Sequence, residues 1–231
     1  MTAREDEAED QLRVPFAGPT FVNRWTLSAY MGDAFTRHPS FRLMPLPRIG
    51  SVSVMTSVRH YADFVGRHVG PEHPYVAAGQ SQGAIVAALH GLTDPRAAHV
   101  VMLGPPLHGA WLSRLLLMFP SAWELLDSSR MLADLKAAIL EQPERFTSIF
   151  CPQEQVMDST SPYLPGIENI LVGSAQQIEE FTAAHPEIEV TEKVVSDHAV
   201  THTSAMRNPD FRGALWRVIS READHVGRTF A

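Results

Sequence analysis

The fold is decided by the stretch Val76-Ala77-Ala78-Gly79-Gln80-Ser81-Gln82-Gly83-Ala84-Ile85-Val86-Ala87-Ala88-Leu89-His90, an apolar run that is interrupted by a GxSxG pentapeptide. Residues 75–78 predict a buried parallel strand, and residues 84–89 predict a helix. A strand that turns sharply into a helix exposes a serine at the turn and directs the positive helix end at an oxyanion. The pattern therefore predicts that Ser81 is a nucleophile.

The two glycines of the pentapeptide support this interpretation. Side chains at Gly79 or Gly83 would collide across so tight a turn. A GxSxG match alone arises by chance in on the order of a few per cent of chains of this length, so the flanking strand and helix carry the assignment. The alternative is an ordinary turn between a strand and a helix that binds a phosphate, but the sequence has neither a GxxxxGK[ST] loop nor a well-placed GxGxxG.

The composition is that of one globular domain without a nucleic-acid partner. The 231 residues, 45% of them hydrophobic, suffice for a single core, and the net charge of -7 argues against binding to nucleic acid. The single cysteine, Cys151, excludes an internal disulfide. No apolar run is long enough for a membrane span. Residues 1–12 are acidic, lack the apolar core of a secretion signal and are expected to be disordered, so we expect a cytoplasmic protein.

Strand and helix patterns alternate along residues 13–231, which we treat as one domain. Strands are predicted at 13–17, 42–46, 75–78, 99–103, 146–151, 170–172 and 188–195. Helices are predicted at 24–37, 54–69, 84–89, 110–126, 129–141, 175–184 and 210–226. Strands separated by helices indicate an α/β fold, with a mostly parallel sheet and helices on both faces. Residues 152–166 show neither pattern, and a long loop of this kind is often functional.

The chain resembles the α/β-hydrolase superfamily, and within it the bacterial lipases and esterases. Residues 75–83 resemble the nucleophile elbow of this family, residues 100–109 resemble the strand that ends in a Pro-His-Gly-like turn, and residues 146–157 resemble the strand whose following turn carries the catalytic acid. The likeness covers nearly all of residues 13–219. It implies the order nucleophile, acid, histidine and a minimal α/β-hydrolase fold that lacks the two leading strands of larger members.

The same resemblance implies candidates for the acid and the base. It places the acid at Glu154, with Asp158 on the same loop as the alternative. The base is expected in the loop before the last helix, which offers His198 and His202, and the spacing of His202 to Pro209 favours His202. The two histidines also have the spacing of zinc ligands on a helix, but no HExxH glutamate and no third ligand accompany them. We therefore expect no metal and no cofactor.

An ester hydrolase also needs donors for the oxyanion. The backbone N–H of Gln82 is expected to be one of them. The other is expected in the loop after the first strand, where the family carries an HG or PG motif. In this chain Ala17 replaces the histidine and Pro19 has no N–H, so the donor is expected to be Thr20 or Phe21.

Residues of about 107–145 stand where the family inserts a small helical cap or lid over the serine. Residues 111–120 are more apolar than a solvent-facing helix requires, which is typical of an acyl-binding wall. The alternative is a core helix packed on the sheet. The cap interpretation predicts a substrate pocket lined by four residues: His108, Trp111, Met118 and Phe119.

These observations predict a carboxylic ester hydrolase that is esterase- or lipase-like and forms an acyl-enzyme on Ser81. Its substrate is expected to be a small-molecule ester or thioester with an apolar acyl part. Two alternatives remain open. One is a thioesterase or acyl-transfer enzyme of a biosynthetic pathway, which the altered oxyanion loop favours. The other is a non-hydrolytic binding or scaffold protein that retains the fold.

Overall fold

Seven parallel strands form one sheet in a computed structural model that describes residues 12–19, 41–45 and 53–229. Their order across the sheet is β2-β1-β3-β4-β5-β6-β7. The strands are β1 (Leu12–Ala17), β2 (Phe41–Pro45), β3 (Tyr75–Gln80), β4 (Ala97–Leu103), β5 (Phe146–Phe150), β6 (Glu168–Gly173) and β7 (Glu192–Val195). Every neighbouring pair of strands is parallel, which requires each connection to return the chain to the same edge of the sheet.

Six α-helices lie in the described part of the chain. They are α1 (Val54–His68), α2 (Gln82–Thr93), α3 (Pro120–Glu124), α4 (Arg130–Leu140), α5 (Ala175–Ala184) and α6 (Pro209–Thr229). Short 3-10 helices span Trp111–Leu115, Pro143–Arg145 and Ala205–Arg207. Helix α5 begins with a capping box, in which Ser174 and Gln177 satisfy each other's backbone N–H groups.

Helices cover both faces of the sheet, as the strand and helix pattern predicts. On one face, α1, α2 and α4 pack on strand residues such as Ala77 and Met102. On the other face, α6 packs on Val76, Ala78 and Val101. Successive strand residues point to opposite faces, so both faces of the central strands must be apolar. All six residues of β3 are buried for this reason.

The predicted elements agree with the observed ones except in three places. The predicted helix at 24–37 and residues 1–11 of the acidic segment expected to be disordered at 1–12 lie outside the described residues, while Leu12 begins β1. The single predicted helix at 110–126 is instead a 3-10 helix followed by α3, which begins at Pro120, a residue that cannot continue a preceding helix. The predicted strand at 188–195 is shortened to β7, because residues before Glu192 form a turn in which Ile188 N donates to His185 O.

The segment predicted as a cap divides into two parts. Helix α4 buries Leu132, Leu135 and Ile139 in the core. In contrast, several large apolar side chains of residues 111–123 are exposed to solvent. The apolar content of the segment is thus partly core and partly surface.

Candidate active site

Ser81 lies at the sharp turn between β3 and α2. Its φ of 56° and ψ of -126° make it the single non-glycine residue with positive φ in the described part of the chain. A non-glycine residue in this region costs about 1–3 kcal/mol of strain, which the surrounding structure must hold in place. The turn therefore presents the serine in the strained geometry of a nucleophile elbow.

The neighbouring glycines make this geometry possible because they allow close backbone contacts. A Cβ at Gly79 would lie 2.1 Å from the carbonyl oxygen of Gly83. A Cβ at Gly83 would lie 2.2 Å from the carbonyl oxygen of Ala17, at the end of β1. The collision predicted across the turn thus exists for Gly79, whereas Gly83 is required by the adjacent strand.

The carboxyl ends of three neighbouring strands meet beside this turn. Ser81 N donates to Leu103 O at 2.8 Å, and Gly104 N donates to Ile149 O at 2.8 Å. The loops that follow β3, β4 and β5 consequently emerge at one edge of the sheet. Ligands and catalytic groups of open α/β sheets collect at this edge.

A buried carboxylate and an imidazole form a close pair in these loops. Glu154 Oε2 lies 2.5 Å from His202 Nδ1, and the side chains of Glu154 and His202 are 0% and 8% exposed. The other carboxylate oxygen, Oε1, accepts a hydrogen bond from Cys151 Sγ at 3.4 Å. A carboxylate on Nδ1 fixes the tautomer of the ring and leaves Nε2 for proton transfer.

The acid loop and the histidine loop are joined along their backbones. Gln153 and Thr201 form a parallel β-bridge, and His202 N donates to Gln153 O at 3.1 Å. The hydroxyl of Thr203 adds a 2.6 Å hydrogen bond to Gln155 Oε1. These contacts fix the register of the two loops, so that Glu154 faces His202.

Two residues connect this pair to the elbow. The side-chain amide of Gln80, the residue before Ser81, donates to His202 O at 3.4 Å. A Cβ at Gly104 would lie 3.1 Å from His202 Nδ1, and its φ of 51° is one that glycine adopts without strain. The structure therefore brings Ser81, Glu154 and His202 to the same edge of the sheet.

The alternative acid and base lie elsewhere. Asp158 is exposed, and its backbone oxygen accepts a hydrogen bond from Ser161 N at 2.8 Å. His198 is also exposed, and its backbone N–H donates to Ser196 Oγ at 3.4 Å. Among the described hydrogen bonds and ion pairs, one joins Glu154 to His202, and none joins Asp158 to His198.

Of the predicted oxyanion donors, the structure describes one. Gln82 is the first residue of α2, so its N–H lies in the first turn, at the positive end of the helix. Thr20 and Phe21 lie outside the described residues. The strand that leads towards them does reach the elbow, because the carbonyl oxygens of Ala17 and Gly18 both lie against Gly83.

The four predicted pocket residues lie on the surface segment that follows β4. Trp111 and Met118 are 46% and 82% exposed, and Phe119 is half-buried. His108 is exposed, and its Nε2 lies 3.1 Å from Tyr163 O while its Nδ1 lies 3.2 Å from Lys136 Nζ. Partial burial lowers the pKa of His108, and the Lys136 ammonium lowers it further. A neutral ring with its proton on Nε2 satisfies both contacts.

Three residues near the candidate triad had no assigned role in the sequence analysis. They are Gln80, Gly104 and Cys151. Gln80 could have been recognised from the sequence, because it is a polar amide that follows the apolar run 75–78 and directly precedes the serine. The contacts of the other two depend on how separate strands align, which no local pattern reveals.

Within residues 12–19, 41–45 and 53–229, no group of three or more His, Cys, Asp or Glu side chains could hold a metal ion. No helix in these ranges is both long enough and apolar enough to cross a membrane.

Comparison with known proteins shows the fold. A structure reported for LipS and LipT, two metagenome-derived lipolytic enzymes, is similar with a TM-score of 0.60 at 11% identity, over 94% of this chain and 95% of that chain. The thioesterase domain from the curacin biosynthetic pathway is similar with a TM-score of 0.51 at 11% identity, over 91% of each chain. Together with the sheet order, these likenesses show that the chain has the α/β-hydrolase fold.

One further matched structure belongs to a protein that is longer than this chain. Phospholipase PlaB from Legionella pneumophila is matched with a TM-score of 0.47 at 15% identity, over 74% of this chain. The chain covers 41% of that protein, or about two fifths of its length. No protein-family model matches the sequence, and neither does any curated protein.

Proposed function

We propose that this protein is a serine-dependent carboxylic ester hydrolase in which Ser81 is the nucleophile, His202 the general base and Glu154 the acid that orients it. The observation that carries the proposal is the buried contact between Glu154 Oε2 and His202 Nδ1, on the edge of the sheet where the strained Ser81 lies. A serine needs an adjacent base to become a nucleophile, and the base needs a third group to hold its ring.

In this mechanism Ser81 Oγ attacks the ester carbonyl while its proton passes to His202 Nε2. The negative charge on the former carbonyl oxygen is stabilised by the N–H of Gln82 at the start of α2 and by a second donor from the loop after β1. Collapse of this intermediate releases the alcohol, which takes the proton from His202. Water, deprotonated by His202, then hydrolyses the acyl-enzyme and frees the carboxylic acid.

An apolar acyl chain is the substrate group that suits the surface next to the site. The exposed side chains of Trp111 and Met118 lie on the segment that follows β4, and Leu112 N donates to Val156 O at 3.2 Å in the acid loop. The segment thus adjoins the loop that carries Glu154. An apolar surface beside a polar site favours a substrate with both kinds of group.

A thioesterase or acyl-transfer activity is the second candidate. It is supported by the likeness to the curacin thioesterase domain and by Pro19, which cannot donate an N–H in the loop expected to complete the oxyanion hole. Esters and thioesters form the same acyl-enzyme on the serine, so the same triad serves both. The group that then accepts the acyl chain, water or another nucleophile, decides between hydrolysis and acyl transfer.

Two measurements test the proposal. Turnover of p-nitrophenyl butyrate is compared with turnover of a butyryl thioester of N-acetylcysteamine, and a fluorophosphonate is used to label the nucleophile. We expect hydrolysis of at least one acyl donor and a phosphonate adduct on the peptide that contains Ser81. The adduct should persist in Ser128→Ala, which alters an exposed serine, and disappear in Ser81→Ala. A protein that shows neither turnover nor adduct is the non-hydrolytic alternative.

A further inference from the structure

Gln80 is a buried polar residue at the end of a strand that is otherwise apolar. It is the last residue of β3, directly before Ser81, and the residue is 3% exposed. Together with Glu154 and His202, it lines a small void. A buried amide at this position has to be explained by its contacts, because an apolar residue would fill the same space at lower cost.

The contacts of His202 show what Gln80 does. The backbone N–H of His202 donates to Gln153 O, one residue before Glu154, at 3.1 Å. The backbone carbonyl of His202 accepts from Gln80 Nε2, one residue before Ser81, at 3.4 Å. The histidine is therefore held between the residue that precedes the nucleophile and the residue that precedes the acid.

The oxygen of the Gln80 side-chain amide, Oε1, is buried and, unlike the nitrogen, makes no hydrogen bond with the described residues. A buried acceptor without a donor destabilises the folded state, because its hydration is lost and not replaced. The residue is thus a poor stabiliser of the fold, although its Nε2 makes a contact that bears on the histidine.

We infer that Gln80 is a positioning residue, which holds the backbone of His202 so that the imidazole stays aligned with Ser81. The inference rests on the proposed function, since it concerns the base of that triad. Small displacements of a catalytic group cost large factors in rate, whereas the substrate pocket is unaffected by them. Loss of the Gln80 contact should accordingly lower kcat and leave KM unchanged.

The test is Gln80→Met, which keeps the length of the side chain and removes both amide groups. We expect kcat for p-nitrophenyl butyrate to fall about tenfold at constant KM, the size of effect that one modest hydrogen bond supports. The rate of phosphonate labelling at Ser81 should fall by the same factor, because it also depends on the base. The thermal unfolding midpoint should stay unchanged or rise, because the unpaired oxygen is gone.

Two matched glutamine variants serve as comparisons. Gln177 is buried and fully bonded, with Nε2 donating to Val200 O and Oε1 accepting from Val200 N at 2.8 Å, so Gln177→Met should lower the unfolding midpoint. Gln176 is exposed on α5, and Gln176→Met should behave as the wild type in both measurements.

The inference is overturned if Gln80→Met retains kcat within twofold, if KM rises instead, or if the unfolding midpoint falls as far as in Gln177→Met. The last result would make Gln80 a structural residue only. The Ser81→Ala variant separates the two proposals. If it keeps the wild-type activity, the proposed triad fails and the inference fails with it. If it is inactive while Gln80→Met is unchanged, only the inference fails.

Discussion

The thiol of Cys151 lies 3.4 Å from Glu154 Oε1, while the other carboxylate oxygen, Oε2, contacts His202 Nδ1. Cys151 follows the last residue of β5 and is 1% exposed. Burial raises the pKa of the Cys151 thiol well above its usual range, and the neighbouring carboxylate raises it further. The thiol therefore remains protonated and can donate to Glu154, which a thiolate could not.

We predict that Cys151 does not react with iodoacetamide in the native protein at pH 8. The thiolate is the reactive form, and both burial and charge disfavour it here. Mass spectrometry should detect no adduct after treatment of the folded protein and one adduct after treatment in guanidinium. Complete alkylation of the folded protein, with loss of esterase activity, would instead make Cys151 a candidate nucleophile.

We predict that Ser81→Gly is more stable than Ser81→Ala, by about 1 kcal/mol. The φ of 56° at this position strains any residue that has a Cβ, and glycine removes about 1–3 kcal/mol of strain at an entropic cost of about 0.5–1 kcal/mol. Both variants should retain less than about a thousandth of the wild-type turnover. Urea unfolding followed by circular dichroism gives the stability order, and the usual order with alanine above glycine would show that the turn is unstrained.

We predict that His202→Ala is as damaging as Ser81→Ala, and that His198→Ala has near wild-type activity. Of these two histidines, His202 has a ring that contacts the buried Glu154 carboxylate, whereas His198 is exposed. Turnover of p-nitrophenyl butyrate should separate the two variants by about a hundredfold or more. The reverse ranking would assign the base to His198, and equally mild effects would remove the triad altogether.

The elements of the fold could be predicted from the sequence because their signals are local. The apolar residues of β3 and β4 and the helical pattern of α2 each lie within one short stretch. The fold class then followed from the alternation of strands and helices. Signals of this kind fail where a proline divides a helical pattern, as Pro120 does between the 3-10 helix and α3.

The candidate site could be predicted only in part, since its contacts join distant segments. The elbow pattern pointed to Ser81, while the resemblance left Asp158 as an alternative to Glu154 for the acid and His198 as an alternative to His202 for the base. In the structure, the bridge between Gln153 and Thr201 aligns two loops that are far apart in the sequence and brings Glu154 against His202. The contact of Gln80 with the backbone of His202 has the same origin. Such contacts depend on how strands and loops align across the sheet, and the hydrophobic periodicity of the sequence does not indicate this alignment.

We predict that Glu154→Gln lowers kcat by about a hundredfold or more, whereas Asp158→Asn has little effect. The glutamine keeps the shape of the side chain but loses the charge that stabilises the imidazolium, and it allows the wrong tautomer of His202. Asp158 is exposed and has no described contact with the ring. The kinetics of both single variants and of the double variant should show no coupling beyond the effect of Glu154→Gln. A greater loss in Asp158→Asn would move the acid four residues along the loop.

His99 is a buried histidine that we expect to make the protein less stable in mild acid, since it is 3% exposed between the sheet and α6. Its Nε2 lies 2.8 Å from Thr147 Oγ1, and its Nδ1 lies 3.7 Å from Glu222 Oε2. Burial lowers the pKa of His99, partly offset by Glu222, and other charges near the ring come from Arg221, Glu168 and Arg145. Hydrogen bonds from Arg221 hold the pKa of Glu168 below its usual range, so that this carboxylate stays ionised as the histidine titrates.

Because the pKa of His99 is lower in the folded state than in the unfolded state, the unfolded chain binds the proton first as the pH falls. We therefore predict that the free energy of unfolding is highest above about pH 6.5 and decreases below it, with a contribution from His99 of at most about 1.4 kcal/mol per pH unit. Urea unfolding at pH 7.5, 6.5 and 5.5 measures the slope. The variant His99→Gln should be less stable at pH 7.5 but show a shallower slope, and His198→Gln, which alters an exposed histidine, should keep the wild-type slope. Identical slopes in His99→Gln and the wild type would assign the acid sensitivity to another group. His90, whose pKa is also lowered by burial, would then be tested first.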